Sequence, residues 1–469
     1  MTEGQPNTVP AQGPHGRLGQ MLLTVLIAIL LIMVVWVLWA PAPEPPRSFE
    51  DYETPLLAVN RTALCAPDPD DPACWARGSA VAVGDLDLDG IPEIVVAGAG
   101  QSSSLEAGEV VTVWHYESAL RDFRLLASAL NGTLSIGARA VSLVNLDGGS
   151  DLEIVTTGET HWWASEASYV SIWKWSHGRL ERIAHERWVW EGEDTVLESM
   201  GTADFDGDGI EEILALSTVK PRNGPLYANL ATWSFSPVNA TMISEVNVSL
   251  QSAGESVWLR GLSVVRSSPT PRLLLTGTAH DDESGPTRRV DGLALLIEFD
   301  GEQVRVLDEK RIPGRILTAA SASVVVPPPI DLSTSMAAGV TNESLESQEL
   351  LVNDSVLNLG ATSAVPLPYY GMVKGAAIIE TSRMVVIVGW WGIPEVSFVR
   401  VLDLRSSEGF EDLATNEWQT LVSVDVLAAR NEVAGCTFWD LDGLSDGPEI
   451  LTAGTMFPEL EVRLWASPS

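Results

Sequence analysis

Cysteine is scarce in this chain, with 3 in 469 residues. That excludes a disulfide-stapled scaffold and a protein built on several zinc sites. Positive charge is scarce too: Lys and Arg number 28 against 63 Asp and Glu, and the formal charge is −35. Nucleic acid is thereby excluded as a partner, because phosphate contacts need a basic face. A polybasic mode of lying on an anionic membrane is disfavoured for the same reason. Lysine occurs only as Lys174, Lys220, Lys310 and Lys374. The 6 His form no His-Glu-x-x-His or similar zinc pair, and neither a Gly-x-Ser-x-Gly elbow nor a phosphate loop occurs. What is present is 45% apolar residues, enough to build a large core by ordinary packing.

One run is apolar enough for a membrane. Residues 21–40 contain one hydroxyl, Thr24, and no charge. Twenty helical residues span about 30 Å, the hydrocarbon thickness of a bilayer. A cleaved signal peptide is the alternative, but its apolar region runs to ~15 residues, and Pro43 follows the only Ala-x-Ala candidate, Ala40-Pro41-Ala42. The expectation is a signal anchor over residues 18–40, after a short polar tail at 1–17 and before a Pro-rich spacer at 41–53. Arg17 precedes the run and acids dominate after it, although Arg47 also follows. The expected topology is a single pass through the plasma membrane, with the N-terminus cytoplasmic and the body extracellular. Six Asn-x-Ser/Thr acceptors fit an exported body: Asn60, Asn131, Asn239, Asn247, Asn342 and Asn353. Cys65 and Cys74 are close enough in sequence for a short disulfide, and Cys436 is left as a free thiol in an apolar strand pattern.

Four segments repeat: 81–98, 141–158, 200–217 and 436–454 each give an apolar strand, an acidic loop, Glu-Ile and a second apolar strand. The loops open at Asp85, Asn145, Asp204 and Asp440, so the first spacings are 60 and 59 residues and the last is 236, four times 59. Three further units must lie between: 262–277 keeps the strand-loop-strand form without acids, 322–339 with a proline loop and 375–389 with a shortened loop. After each second strand come further alternating runs, such as EVVTVWHY and FRLLASAL. Four short strands per unit of about 59 residues predict an all-β fold, a seven-bladed β-propeller over residues 54–469. The last unit lacks a fourth strand, and residues 54–60 are expected to supply it.

The acidic loops carry chemistry. Asp85, Asp87, Asp89 and Glu93 place oxygens at positions 1, 3, 5 and 9, and Ile91 offers its carbonyl at position 7. A hard cation such as Ca²⁺ takes 6–8 oxygens, and a curled loop brings alternate side chains to one point. Asp204, Asp206, Asp208, Ile210 and Glu212 repeat the set. An EF-hand is excluded, because it needs a twelfth-position Glu, where Val96 and Ala215 stand. Asn145, Asp147 and Glu153 keep three positions, Gly149 replaces the fifth, and Asp151 is a substitute ligand. Asp440, Asp442, Asp446 and Glu449 keep the ligand types with one residue inserted. Two to four Ca²⁺ sites are expected, with none in the three middle loops.

These loops resemble the FG-GAP repeats of integrin-α-type β-propellers, over residues from about 54 to 469. The resemblance implies metals on one rim and extracellular adhesion or ligand binding. The family usually has Asp at position nine, whereas all four loops here have Glu. Function is read as a calcium-binding surface module for a glycan or protein ligand. Two other classes stand beside it: a polysaccharide lyase or hydrolase on a propeller scaffold, and a structural subunit of an envelope complex. Neither adds a catalytic residue to name. The loops opposite the metal rim are rich in His161, Trp162, Trp163, Trp390, Trp391, Met456 and Phe457. Aromatics gathered on one face suit sugar stacking or a protein hot spot.

Overall fold

A computed structural model describes residues 56–59 and, between 75 and 465, the strands with several connections, including 85–92, 145–152, 204–211 and 221–226. The 21–40 run, Cys65, Cys74, Asn60, Asn239, Asn353 and the loop from Asp440 through Asp446 lie outside the described residues. So do the three middle first-to-second-strand loops. Among the described residues no helix is long and apolar enough to cross a membrane. The described strands belong to one compact unit, Arg47–Ala361 with Val365–Ser469.

The unit is all β. Strand β1 (Leu56–Val59) comes first in sequence. The first sheet holds β2 (Trp75–Gly84), β3 (Glu93–Gln101), β4 (Ala107–Glu117) and β5 (Asp122–Asn131). The second holds β6 (Gly137–Val144), β7 (Glu153–Trp162), β8 (Ser165–Ser176) and β9 (Arg179–Trp188). The third holds β10 (Asp194–Ala203), β11 (Glu212–Lys220), β12 (Tyr227–Ser236) and β13 (Thr241–Leu250). The fourth holds β14 (Glu255–Val265), β15 (Arg272–Asp281), β16 (Val290–Phe299) and β17 (Val304–Pro313). The fifth holds β18 (Arg315–Ala322), β19 (Met336–Asn342), β20 (Gln348–Val352) and β21 (Ser355–Asn358). The sixth holds β22 (Gly371–Ile379), β23 (Met384–Trp391), β24 (Val396–Asp403) and β25 (Glu411–Gln419). The seventh holds β26 (Asn431–Trp439), β27 (Glu449–Met456) and β28 (Glu459–Trp465), with β1 as its fourth strand.

Every sheet is a four-stranded antiparallel meander. The expectation for residues 54–60 is met: β1 pairs with β28 from Leu56 opposite Leu464 to Val59 opposite Glu461. The N-terminal strand thus covers an edge that would otherwise present unpaired N–H and C=O groups. The first strand of each sheet touches the first strand of the next, and β26 touches β2 in turn.

Burial explains the sequence pattern. In β3 (EIVVAGAGQ) and β11 (EILALSTVK) every residue but the last is buried. A strand covered on both faces reads as a continuous run of apolar and small residues. The fourth strand β5 is only partly covered beyond Phe123. The core lies between sheets. Ile94, Val96, Val110 and Trp114 of the first sheet pack with Leu451, Val462 and Leu464 of the seventh. On the other side, Val95, Val111 and Val113 pack with Ile154 and Trp173 of the second. Each such side chain is worth about 1.5–3 kcal/mol when fully buried, so no sheet holds its shape without neighbours.

A β-bulge interrupts every first strand at one phase. The extra residues are Ser79, Arg139, Glu198, Arg260, Thr318, Lys374 and Ala434. The bulge crowds the strand beside it: a Cβ on Gly98 would stand 1.9 Å from the Arg77 carbonyl oxygen, and one on Gly277 would stand 2.1 Å from that of Trp258. Only glycine fits there.

Candidate metal centre

The acidic loops join first to second strands in the first three sheets, at 85–92, 145–152 and 204–211. Each is anchored at its second residue. Leu86, Leu146 and Phe205 are buried. Their backbone N–H groups donate to Glu93 Oε2 at 2.9 Å, Glu153 Oε2 at 3.0 Å and Glu212 Oε2 at 2.6 Å. The ninth-position Glu therefore ties each loop closed through one oxygen, and among the described residues only Glu212 also converges with the Asp carboxylates of its loop.

The first and third loops share a backbone. In the first, Asp89 N and Gly90 N donate to the two Asp85 oxygens at 3.1 and 2.9 Å, and Ile91 N donates to Asp89 Oδ1 at 2.8 Å. In the third, Gly207 N and Gly209 N donate to the two Asp204 oxygens at 2.6 and 2.9 Å, and Ile210 N donates to Asp208 Oδ1 at 2.7 Å. Both curl through left-handed residues at the fourth and sixth positions: Leu88 (φ 61°) and Gly90 (87°), Gly207 (82°) and Gly209 (89°). The curl sets one oxygen each of Asp204, Asp206, Asp208 and Glu212 within 4.8 Å of one another, and the same holds for Asp85, Asp87 and Asp89. An ion with oxygens at about 2.4 Å has opposite ligands about 4.8 Å apart, so these spacings fit one Ca²⁺ per loop. Burial pushes the carboxyls of Glu93 and Glu212 up to about 7, and the neighbouring Asp side chains push the same way.

The second loop differs. Gly148 keeps the left-handed fourth position (φ 68°), but Ser150 does not share the left-handed sixth. Asn145 Nδ2 donates to the Gly149 carbonyl at 2.5 Å, and Gly149 N donates to Asp147 Oδ1 at 2.7 Å. Lys174 Nζ reaches this loop from β8, 3.5 Å from Glu153 Oε1, 3.7 Å from Asp147 Oδ2 and 3.8 Å from Asp151 Oδ2. Burial is the main cause that raises the Glu153 carboxyl, Asp147 adds to it, and Lys174 opposes it.

The residues read as a ligand face are placed differently from expectation. His161 and Trp162 end β7, Trp390 and Trp391 end β23, and Met456 ends β27, so five of them belong to strands rather than to loops. Aromatic residues favour extended backbone, and Trp162 already pairs with Ser165 across the β7–β8 hairpin. Trp163 and Phe457 lie outside the described residues. Among the glycosylation candidates, Asn131 ends β5 with its Nδ2 buried, Asn247 lies in β13 and Asn342 ends β19. Cys436 is a free cysteine in β26, and burial pushes its thiol up to about 12.

Two polar clusters escape sequence reading. Trp258 Nε1 donates to Glu198 Oε1 at 2.6 Å, the Arg260 guanidinium lies 3.7 Å from the centre of the Trp258 ring, and Arg139 pairs with Glu159. Glu198 and Arg260 are bulge residues of adjacent sheets, and Arg139 is the bulge residue before them. Between the first two sheets, buried Glu109 accepts from Thr156 Oγ1 and, at 3.0 Å, from Ser171 Oγ. Burial pushes Glu109 up to about 7, although both hydroxyls and Arg182 oppose the rise.

No family model and no curated protein matches the chain. Among solved structures it is similar to Sqt1 from Chaetomium thermophilum, at 11% identity and a TM-score of 0.46 over 87% of this chain and 100% of that one. It is also similar to a protein from Lactobacillus plantarum, at 7% identity and a TM-score of 0.45 over 79% of this chain and 98% of the other. A Penicillium chrysogenum alpha-L-arabinanase complexed with arabinobiose follows at 6% identity and a TM-score of 0.40, over 88% of this chain and 98% of that one. At such identities and scores the likeness says nothing about ligand or activity.

Proposed function

We propose that the chain is a membrane-anchored, seven-bladed β-propeller of FG-GAP type that binds Ca²⁺ and serves as an extracellular adhesion or ligand-binding module. The observation that carries this reading is the pair of equivalent loops whose carboxylates converge, with Asp204, Asp206, Asp208 and Glu212 within 4.8 Å of one another. Four acids so close repel strongly, and a divalent ion removes the repulsion. The meander sheets, with first strands in contact all round and β1 completing the last sheet, support a closed propeller. In this reading the first-to-second-strand loops share one rim and the second-to-third-strand connections, with their Trp-bearing strand ends, share the other. The apolar run at 21–40 is the anchor, with the N-terminus cytoplasmic. The ligand is a glycan or a protein that meets aromatic side chains.

The test is an array of glycans and surface proteins probed with the full chain in detergent, with Ca²⁺ or with chelator. The reading predicts a ligand held in Ca²⁺ and lost in the Trp162→Ala, Trp391→Ala variant while the melting temperature stays the same. Full binding by a normally folded variant would move the ligand site away from that face.

A further inference from the structure

The second loop already has a positive charge. We infer that Lys174 is its resident cation: the ammonium takes the place of a divalent ion among Asp147, Asp151 and Glu153, and this acidic loop takes no Ca²⁺. The inference deepens the calcium reading above and rests on it for the other loops.

Strand register fixes the equivalence. Trp114, Trp173 and Trp233 lie opposite Ile94, Ile154 and Ile213. The residues that follow them, His115, Lys174 and Ser234, therefore occupy one position in three sheets. Lysine stands there only in the sheet whose loop has lost its fifth-position acid, where Gly149 replaces Asp89 and Asp208. The chain has so few lysines that one placed against three acids is a specific feature.

Geometry agrees. Three carboxylates surround Nζ at 3.5–3.8 Å. Those are ion-pair distances for an ammonium, and about 1 Å longer than Ca²⁺ accepts. Glu153 Oε1 is fully buried and has no hydrogen-bond partner, so a cation beside it is what keeps that oxygen tolerable. The fifth position offers no carboxylate, and a Cβ on Gly149 would meet only the movable end of the Asp147 side chain, 2.6 Å from its Oδ1. The Asn145 amide donates within the loop, a use for which a carboxylate is unsuited. Gly149, Asn145 and Lys174 are thus three changes in one direction: fewer acids, one more donor and a fixed positive charge.

The experiment counts Ca²⁺ by equilibrium dialysis on the full chain carrying Asp87→Ala, Asp206→Ala and Asp442→Ala, which silence the other acidic loops. With Lys174 in place no Ca²⁺ should bind, even after Gly149→Asp restores the fifth carboxylate. Gly149→Asp with Lys174→Ser should bind one equivalent. One equivalent bound while Lys174 is present, or none after both changes, would overturn the inference. A second readout uses the otherwise unaltered chain in chelator. Lys174→Met should lower the melting temperature by several degrees and Lys174→Arg by little, and equal melting of the two would also overturn it. Absence of any Ca²⁺ from the unaltered chain would instead refute the calcium reading, and the melting comparison would still decide the role of Lys174.

Discussion

The first and third loops carry four carboxylates each and are braced by backbone N–H donors, whereas the second sets three carboxylates around an ammonium. The anchoring is the same in all three: a buried second residue whose N–H is held by a buried ninth-position Glu. The anchor is therefore shared while the curl beyond it is not, since the sixth position is left-handed at Gly90 and Gly209 and not at Ser150. In the proposed reading one repeat carries its positive charge covalently, while its neighbours would take theirs from solution.

The largest effect that tests this contrast is calcium removal. Each filled site stabilises by RT ln(1 + [L]/Kd), about 1.4–2.7 kcal/mol at ten- to hundredfold excess over Kd. The melting temperature should rise with millimolar Ca²⁺, and Asp87→Ala with Asp206→Ala should remove most of the rise. A double variant that responds to Ca²⁺ like the parent would break the contrast.

Next comes Glu109, a buried acid with hydroxyl donors in place of an ion. Its folded-state value of about 7 is raised above the ordinary 4.5. Its contribution is therefore most favourable below about pH 4.5 and is lost as pH rises through 7, a swing of up to about 3 kcal/mol. His185, lowered by burial to about 4, acts in the opposite sense as pH falls from 6.5. Glu109→Gln should raise the melting temperature at pH 8 more than at pH 5, and an equal change at both would show that Glu109 does not titrate there.

The smallest effect sharpens the backbone comparison. Leu88 is an exposed non-glycine residue with φ 61°, where the other two loops have Gly148 and Gly207. Leucine pays roughly 1–2 kcal/mol for that conformation, and glycine pays roughly 0.4–1 kcal/mol in the unfolded chain. Leu88→Gly should leave Ca²⁺ affinity intact and stabilise by about 0.5 kcal/mol in chemical denaturation. Destabilisation would mean that Leu88 makes a contact the exposure does not reveal.

Much of this was readable in the sequence, because it depends on local pattern. The phase of the loops at Asp85, Asn145 and Asp204 sets the strand-loop-strand units, and the missing last strand points back to residues 54–60. What depends on register was not readable. Lys174 lies 21 residues beyond Glu153 on a later strand, and only the pairing of Ile154 with Trp173 brings it to the loop. Glu198 and Trp258 are 60 residues apart and meet through the bulges of adjacent sheets. Glu109 is one acid among many until Thr156 and Ser171 are folded against it. Trp162 and Trp391 sit in the GETHWWASEAS and GWWGIPEV stretches, which read as loops from sequence, yet the ladder extends through both.

The central claim is that particular repeats take Ca²⁺, and the most direct measurement is calorimetric titration of the full chain and its single variants with Ca²⁺. The account predicts that Asp87→Ala and Asp206→Ala each remove one equivalent, and that Asp147→Ala removes none. Loss of an equivalent in Asp147→Ala, or an unchanged count in the other two, would contradict it.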